Sequence, residues 1–198
     1  MLGFVEMSNQ RILSTPVIAM MIAALTAGAL FLNGRTVWGS SDGFCSWFGA
    51  AVGNLTSQCL LDPYSFTHVL HGFLFFFLLW LVARKLPIRT RFLIAMVLEG
   101  AWEVLENTNF IIDRYRVANI AMNYFGDSIL NSVGDLLAMA VGFLLAAALP
   151  IVLGVIAFLV TEVFLLWWIH DSLLLQVMVL MYPFEFIRNY QNGVWPLW

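Results

Sequence analysis

Apolar runs of the length needed to cross a bilayer recur along this chain, and they dictate helices, because a helix satisfies its own backbone amides where no water can. The runs begin near Pro16 (PVIAMMIAALTAGALFLNG), Phe66 (FTHVLHGFLFFFLLWLVA), Phe92, Asp127 (DSILNSVGDLLAMAVGFLLAAALP) and Ile151 (IVLGVIAFLVTEVFLLWWI). About 30 Å of hydrocarbon calls for roughly 20 such residues per helix. The chain is 62% hydrophobic and only 11% charged, which excludes a soluble domain. We expect an all-α polytopic transmembrane bundle of about five spans, residues 16–33, 66–84, 92–110, 127–149 and 151–170, in one membrane domain over 1–198. Residues 171–198, with the short run SLLLQVMVLMYP, form an interfacial or sixth helix. The first run lies far from the terminus and lacks a following small-residue cleavage site, so it is expected to stay as a helix.

Positive charge sets the orientation. Arg84, Lys85, Arg89 and Arg91 between the second and third spans, with Arg11 before the first, belong on the cytoplasmic side of a bacterial inner membrane, which puts the N-terminus inside. Residues 34–65 then form an extracytoplasmic loop. Arg35, Arg114, Arg116 and Arg188 fall on that outer side, against the bias, as residues held for pairing or for an anion. Cys45 and Cys59 share the outer loop, where a disulfide would close a ring of about 15 residues worth roughly 3 kcal/mol. Two free thiols in a buried loop are the alternative. Trp80, Trp167, Trp168, Trp195 and Trp198 fall where interfacial aromatic belts form.

Polar residues inside the spans carry the functional signal. A carboxylate in hydrocarbon costs roughly 2.5 kcal/mol or more, so it persists only against a partner, water or a ligand. Glu99, Glu103 and Glu106 recur at i, i+4, i+7 and share one helix face. At about 1.5 Å per residue they stand roughly 16, 10 and 6 Å below the outer end of the third span. His68 and His71 share a face at the outer end of the second span, and Asp127, Asn131 and Asp135 form a stripe on the fourth. These converge on one layer in the outer half of the membrane, which Glu162 of the fifth span joins if it turns inward. We assign His68, Glu103, Glu106 and Asp127 as the catalytic group, on the ground that histidine beside carboxylate forms an acid/base pair. Glu99, Asn131 and Asp135 are assigned to substrate binding, and Arg114 and Arg116 at the rim suit a phosphate head group. A divalent metal is a possible cofactor, with His68 and His71 as its ligands.

Each residue also has a structural reading. Asp127 follows Gly126 and would cap the fourth helix; His68 and His71 would bond to the loop; Asn131 and Asp135 would join helices. The chain contains no GxSxG, no HExxH and no Gly-rich phosphate loop. Two functions follow: a membrane-embedded enzyme or binder acting on a lipid or lipid-linked envelope component, or a non-catalytic accessory subunit or assembly factor of a larger membrane complex. A ligand site requires the charged groups to converge on an accessible cavity, whereas interhelical glue leaves them paired and sealed. A proton path along the glutamates is a third reading, weakened by their thinning toward the cytoplasmic half. Partners are membrane lipids and other integral membrane proteins. No nucleic acid is expected at a net charge of −3 without a basic groove.

The strings NLTSQCLLDPYSFTHVLHGFLFF, EGAWEVLENTNFIIDRYR, NYFGDSILNSVGDLLAMAVGFLLAAALP and IHDSLLLQVMVLMYP resemble the ordered blocks of an alphaproteobacterial inner-membrane family known as a domain of unknown function. That resemblance implies a multi-pass helical fold in a bacterial inner membrane, and it brings no activity. Where that family carries a histidine after a Ser-Gln pair, Ser57-Gln58 is followed here by Cys59, which implies a polar contact exchanged for a disulfide with Cys45. A looser similarity runs to the VanZ-like envelope membrane proteins, whose pattern Asp62, His68, Glu103, Arg116, Asp127, Asn131 and Gly134 would fill in order. That similarity implies the handling of lipid-linked or glycan components.

Overall fold

A computed structural model describes residues 2–39, 43–117 and 124–193, with side chains from residue 14 onward. The expectations for the Arg11 side chain and for Trp195 and Trp198 lie outside the described residues. Those described residues form helices α1 (Leu2–Leu32), α2 (Ser65–Val82), α3 (Ile88–Glu106), α4 (Asn109–Val117), α5 (Ile129–Ala148), α6 (Ile151–Ile169), α7 (Leu173–Met181) and α8 (Glu185–Gln191). The fold is all-α, as the hydrophobic periodicity requires.

Four helices are long and apolar enough to cross a membrane: Ser14–Leu32 within α1, then α2, α5 and α6. The third expected span is α3, 19 residues long but interrupted by Arg89, Arg91, Glu99, Glu103 and Glu106. It nonetheless lies against α1, α2 and α5. The ring of Phe92 meets Phe143 edge-on at 5.5 Å, and Arg91 sits 5.8 Å from the ring of Phe76. Its start falls earlier than the expected residue 92. Its end falls at Glu106, because the Asn107 side chain donates to the Glu103 carbonyl at 3.0 Å and closes the last turn. Glu106 is therefore the final residue of the helix rather than a turn below its end.

Neighbouring contacts fix the directions. On α2 and α5, Ser65 meets Asp135 and Phe76 meets Phe143, so the two helices run parallel. Helix α3 opposes both, with Glu99 at His68 and Arg91 at Phe76. Helix α6 opposes α2, with Gly154 against Phe77 and Phe164 against Phe66. The starts of α2 and α5 and the ends of α3 and α6 thus share one end of the bundle with the loop 33–64 and the short helices. At the other end only residues 83–87 and 149–150 connect the helices.

The tightest contact is between α2 and α5. A Cβ on Gly72 would collide with the Met139 carbonyl oxygen and the Phe143 amide nitrogen, and one on Gly142 with the Val69 carbonyl oxygen. Without side chains at these two positions the backbones touch, the usual basis of close helix packing in membranes. Around them Phe73, Phe76, Leu136, Met139 and Phe143 form the main core.

The outer loop is docked rather than free. The Ser128, Ile129 and Leu130 amides at the start of α5 donate to the carbonyls of Ser57, Thr36 and Val37 at 2.9, 2.9 and 3.2 Å. These amides have no partner within their own helix, so the loop satisfies them. Cys45 and Cys59 form a disulfide across 14 positions. Trp168, expected in an interfacial belt, stacks on Trp47 of the loop, with centroids 6.3 Å apart.

The C-terminal run folds as α7 and α8, of 9 and 7 residues. At 1.5 Å per residue α7 reaches only about 14 Å, too short for a sixth crossing. We predict that Gly72→Val, by forcing α2 and α5 apart, destabilises the protein by about 1–3 kcal/mol, read as a lower unfolding temperature in detergent.

Candidate functional site

The bundle gathers the expected polar stripes of α2, α3 and α5 around His68. Its Nδ1 lies 2.5 Å from Glu99 Oε1, and His71, one turn on, donates from Nδ1 to both Glu99 oxygens at 3.1 and 3.0 Å. Glu99 is fully buried and holds the two imidazoles in place. Glu103 is also fully buried, with Oε1 3.4 Å from His68 Nδ1. Neither of its oxygens has a hydrogen-bond partner. On the far side of the ring, Asp135 Oδ2 stands 3.8 Å from Nε2 while Oδ1 accepts from the Ser65 hydroxyl at 2.9 Å.

Three connected spaces meet here. A polar chamber of about 70 Å³ is lined by His68, Glu106, Asp127, Asp135, Asp171 and Tyr124, among others. Above it lies an outer vestibule of about 440 Å³, which shares Asp127, Tyr124, Thr56 and Ala51 with the chamber and adds Arg35. Beside it, a groove of about 410 Å³ between α2, α3 and α7 shares Thr67, His68, Glu106, Tyr115 and Gln176 with the chamber. The groove is otherwise lined by His71, Phe75, Trp102 and aliphatic residues. Leu74, Leu98, Ala101, Leu105 and Val177 of that lining are exposed on the flank of the bundle.

Several assigned residues have hydrogen-bond partners within the fold. The Arg114 guanidinium donates to the carbonyls of Leu180 and Met181 at 2.9 and 2.6 Å, tying α4 to the end of α7, where carbonyls lack helical partners. Arg116 donates to the Tyr124 carbonyl at 2.7 Å and pairs with Asp113 at 3.3 Å. Neither arginine lines the chamber; Arg35 is the one nearest to it, in the vestibule, donating to the Phe125 carbonyl. Asn131 donates to the Cys59 carbonyl at 2.9 Å and so ties α5 to the disulfide loop. Glu99 lines none of these spaces and positions the histidines. Ser128 caps α5 by accepting from the Asn131 amide at 3.1 Å, which frees Asp127 from that role. Asp127 accepts from the Asn107 amide at 2.8 Å and from the Tyr124 hydroxyl at 3.0 Å. Glu162 does not turn into the layer; it accepts from the Leu174 amide at 3.4 Å in the first turn of α7.

No periodic stripe in the sequence marks this wall of the site. Asp62 and Asp171 are buried loop residues. Burial pushes the Asp62 carboxyl up to about 6, against the Ser57 and Tyr64 amides that donate to it at 2.6 and 2.8 Å. Burial likewise pushes Asp171 up to about 7, against donation from the Ser172 amide, Gln176 and Gln191. Tyr115, Tyr124 and Gln176 also face the chamber, yet they come from α4, α7 and the segment between α4 and α5, where no periodic stripe marks them. Gly126 holds a φ of +91° beside Arg35 and Asn107, where a Cβ would clash.

Residues 30–193 match the family described as Protein of unknown function (DUF2585). The chain belongs to this family. It is 41% identical over 177 residues to the UPF0314 protein of Brucella anthropi, covering 89% of this chain and 90% of that one. It is 45% identical over 148 residues to a UPF0314 protein of Rhizobium johnstonii, covering 75% and 76% of the two chains. To the UPF0314 protein of Paracoccus denitrificans it is 40% identical over 148 residues, covering 75% and 77%. No solved structure matches it.

Among the described residues, two sets could hold a metal ion: His68, His71 and Glu99, and His68, Glu103 and Glu106, with the ligand atoms of each set within 4.8 Å of one another. Proton uptake by the outer wall is separately testable. The folded Asp171 keeps its proton between the ordinary value of 3.8 and about 7, where the unfolded chain has lost it, so its contribution to stability is lost as pH rises through that window. Wild-type stability relative to Asp171→Asn should therefore fall from pH 3.8 to about 7 and level off above, as measured by thermal unfolding in detergent.

Proposed function

We propose that this protein binds a lipid or lipid-linked envelope component, with its polar end in the chamber and its chain in the groove. The observation that carries this reading is the shared lining: Thr67, His68, Glu106, Tyr115 and Gln176 belong both to the polar chamber and to the apolar groove. A ligand lying across that junction must itself be polar at one end and apolar at the other. Pockets that take such ligands are apolar with a few converging polar groups. Purely structural polar residues would be paired and sealed, whereas His68 and Glu106 line a groove that is open on the bundle flank. His68, held by Glu99 and facing Asp135, borders both spaces and is placed to meet the bound polar end.

The same reading includes a bacterial inner membrane with a cytoplasmic N-terminus. Arg84, Lys85 and Arg89 sit at the end of the bundle opposite the chamber, as the positive-inside rule requires of a chamber open to the periplasm. Arg35 in the vestibule is the cation available to an anionic group approaching from that side.

The test is native mass spectrometry of gently purified protein beside Ala101→Trp, which fills the groove from an exposed position and leaves both histidines in the sequence. We expect a co-purifying lipid on the wild type that the variant lacks at unchanged unfolding temperature. A wild type without lipid, or a variant that retains it, would overturn the proposal.

A further inference from the structure

Glu103 is costly as it stands. Both of its oxygens are buried on a bundle-facing helix without a hydrogen-bond donor among the described residues, and they face the His68 ring at 3.4 Å and the Glu106 carboxyl within 4.8 Å. An ionised carboxylate in such a place is strongly destabilising unless a positive charge balances it. Its neighbours add to the deficit. The chamber wall holds Glu106, Asp127, Asp135 and Asp171 with His68, and neither lysine nor arginine among the described lining residues.

We infer that His68, Glu103 and Glu106 form a binding site for a divalent cation of the Zn²⁺ or Mn²⁺ type. Their ligand atoms already lie within 4.8 Å of one another, and one imidazole with two carboxylates is a donor set suited to those ions. Asp135, 3.8 Å from the His68 ring, stands ready as a further oxygen ligand. Glu99 then acts as the outer carboxylate that fixes the orientation of a ligating histidine. The alternative set around His71 has no such need: His71 already donates to both Glu99 oxygens, and Glu99 is satisfied by the two rings. The cation would also border the chamber through His68 and Glu106. Its binding does not require an amphiphile in the groove.

Protein without a polyhistidine tag, equilibrated with Zn²⁺ or with Mn²⁺ in detergent and then desalted, is analysed for metal. Wild type and His71→Ala should retain a stoichiometric ion, while Glu103→Gln and His68→Ala should lose it. Glu99→Gln should bind about 10- to 100-fold more weakly. If Glu103→Gln does not fold, Co²⁺ absorption spectra of wild type and His71→Ala still decide the matter, because the proposed site predicts the same ligand-field band in both. Absence of stoichiometric metal from the wild type, or its loss in His71→Ala, would overturn the assignment. Ala101→Trp keeping its metal while losing lipid would separate this site from the groove.

Discussion

The contact that the rest of this structure depends on is the backbone approach of α2 to α5 at Gly72 and Gly142. Helices packed through large side chains stand 8–10 Å apart; with no Cβ at these positions the carbonyls and amides of the two helices meet directly. That closeness brings the Ser65 hydroxyl to Asp135 and places Asp135 beside the His68 ring. A wider crossing would leave the α5 carboxylate in hydrocarbon without a partner. The polar layer can exist because two glycines lie one to two turns below it.

The outer loop completes what the helices begin. Carbonyls of Thr36, Val37 and Ser57 take the orphan amides of α5, and Leu60 presses its carbonyl onto Gly134, where any Cβ would collide with it. The disulfide between Cys45 and Cys59 and the Asn131 bond to the Cys59 carbonyl hold that segment down. The loop thereby forms one wall of a confined polar space in which aspartates as far apart in sequence as Asp127 and Asp171 share the same surroundings. Burial of so much negative charge is tolerable only when protons, hydrogen bonds or a cation offset it. Hydrogen bonds serve Asp62, Asp127 and Asp171, and protons remain on Asp62 and Asp171 above the usual aspartate range. Glu103 receives no hydrogen bond from the described residues.

Position along the membrane normal gives these groups their chemical setting. Helix α7 lies against α4 at the chamber end of the bundle, held by Arg114, and its Leu173 packs on Leu70 and Leu165. It leaves a gap between α2 and α3 through which His71 and Trp102 meet the apolar flank. A charged chamber and an apolar groove thus border the same imidazole.

The sequence alone determined that the chain is a helical bundle, that Cys45 and Cys59 lie together in one loop, and that the stripes of His68, Glu99, Glu103, Asp127 and Asp135 converge. Hydrophobic run length and the helical period are local properties, so they can be read without coordinates. Only the tertiary structure decided what each polar group faces. Arg114, Arg116 and Asn131 look like ligand contacts by composition and depth, yet each is taken up by a carbonyl distant in sequence, at Leu180, Tyr124 and Cys59. Tyr115, Asp171 and Gln176 show no periodic signal and still line the chamber, because α4, α7 and the loops fold back over the ends of the spans. A side chain's partners are set by which backbones pass within 3 Å of it, and that depends on helix packing that no local pattern records.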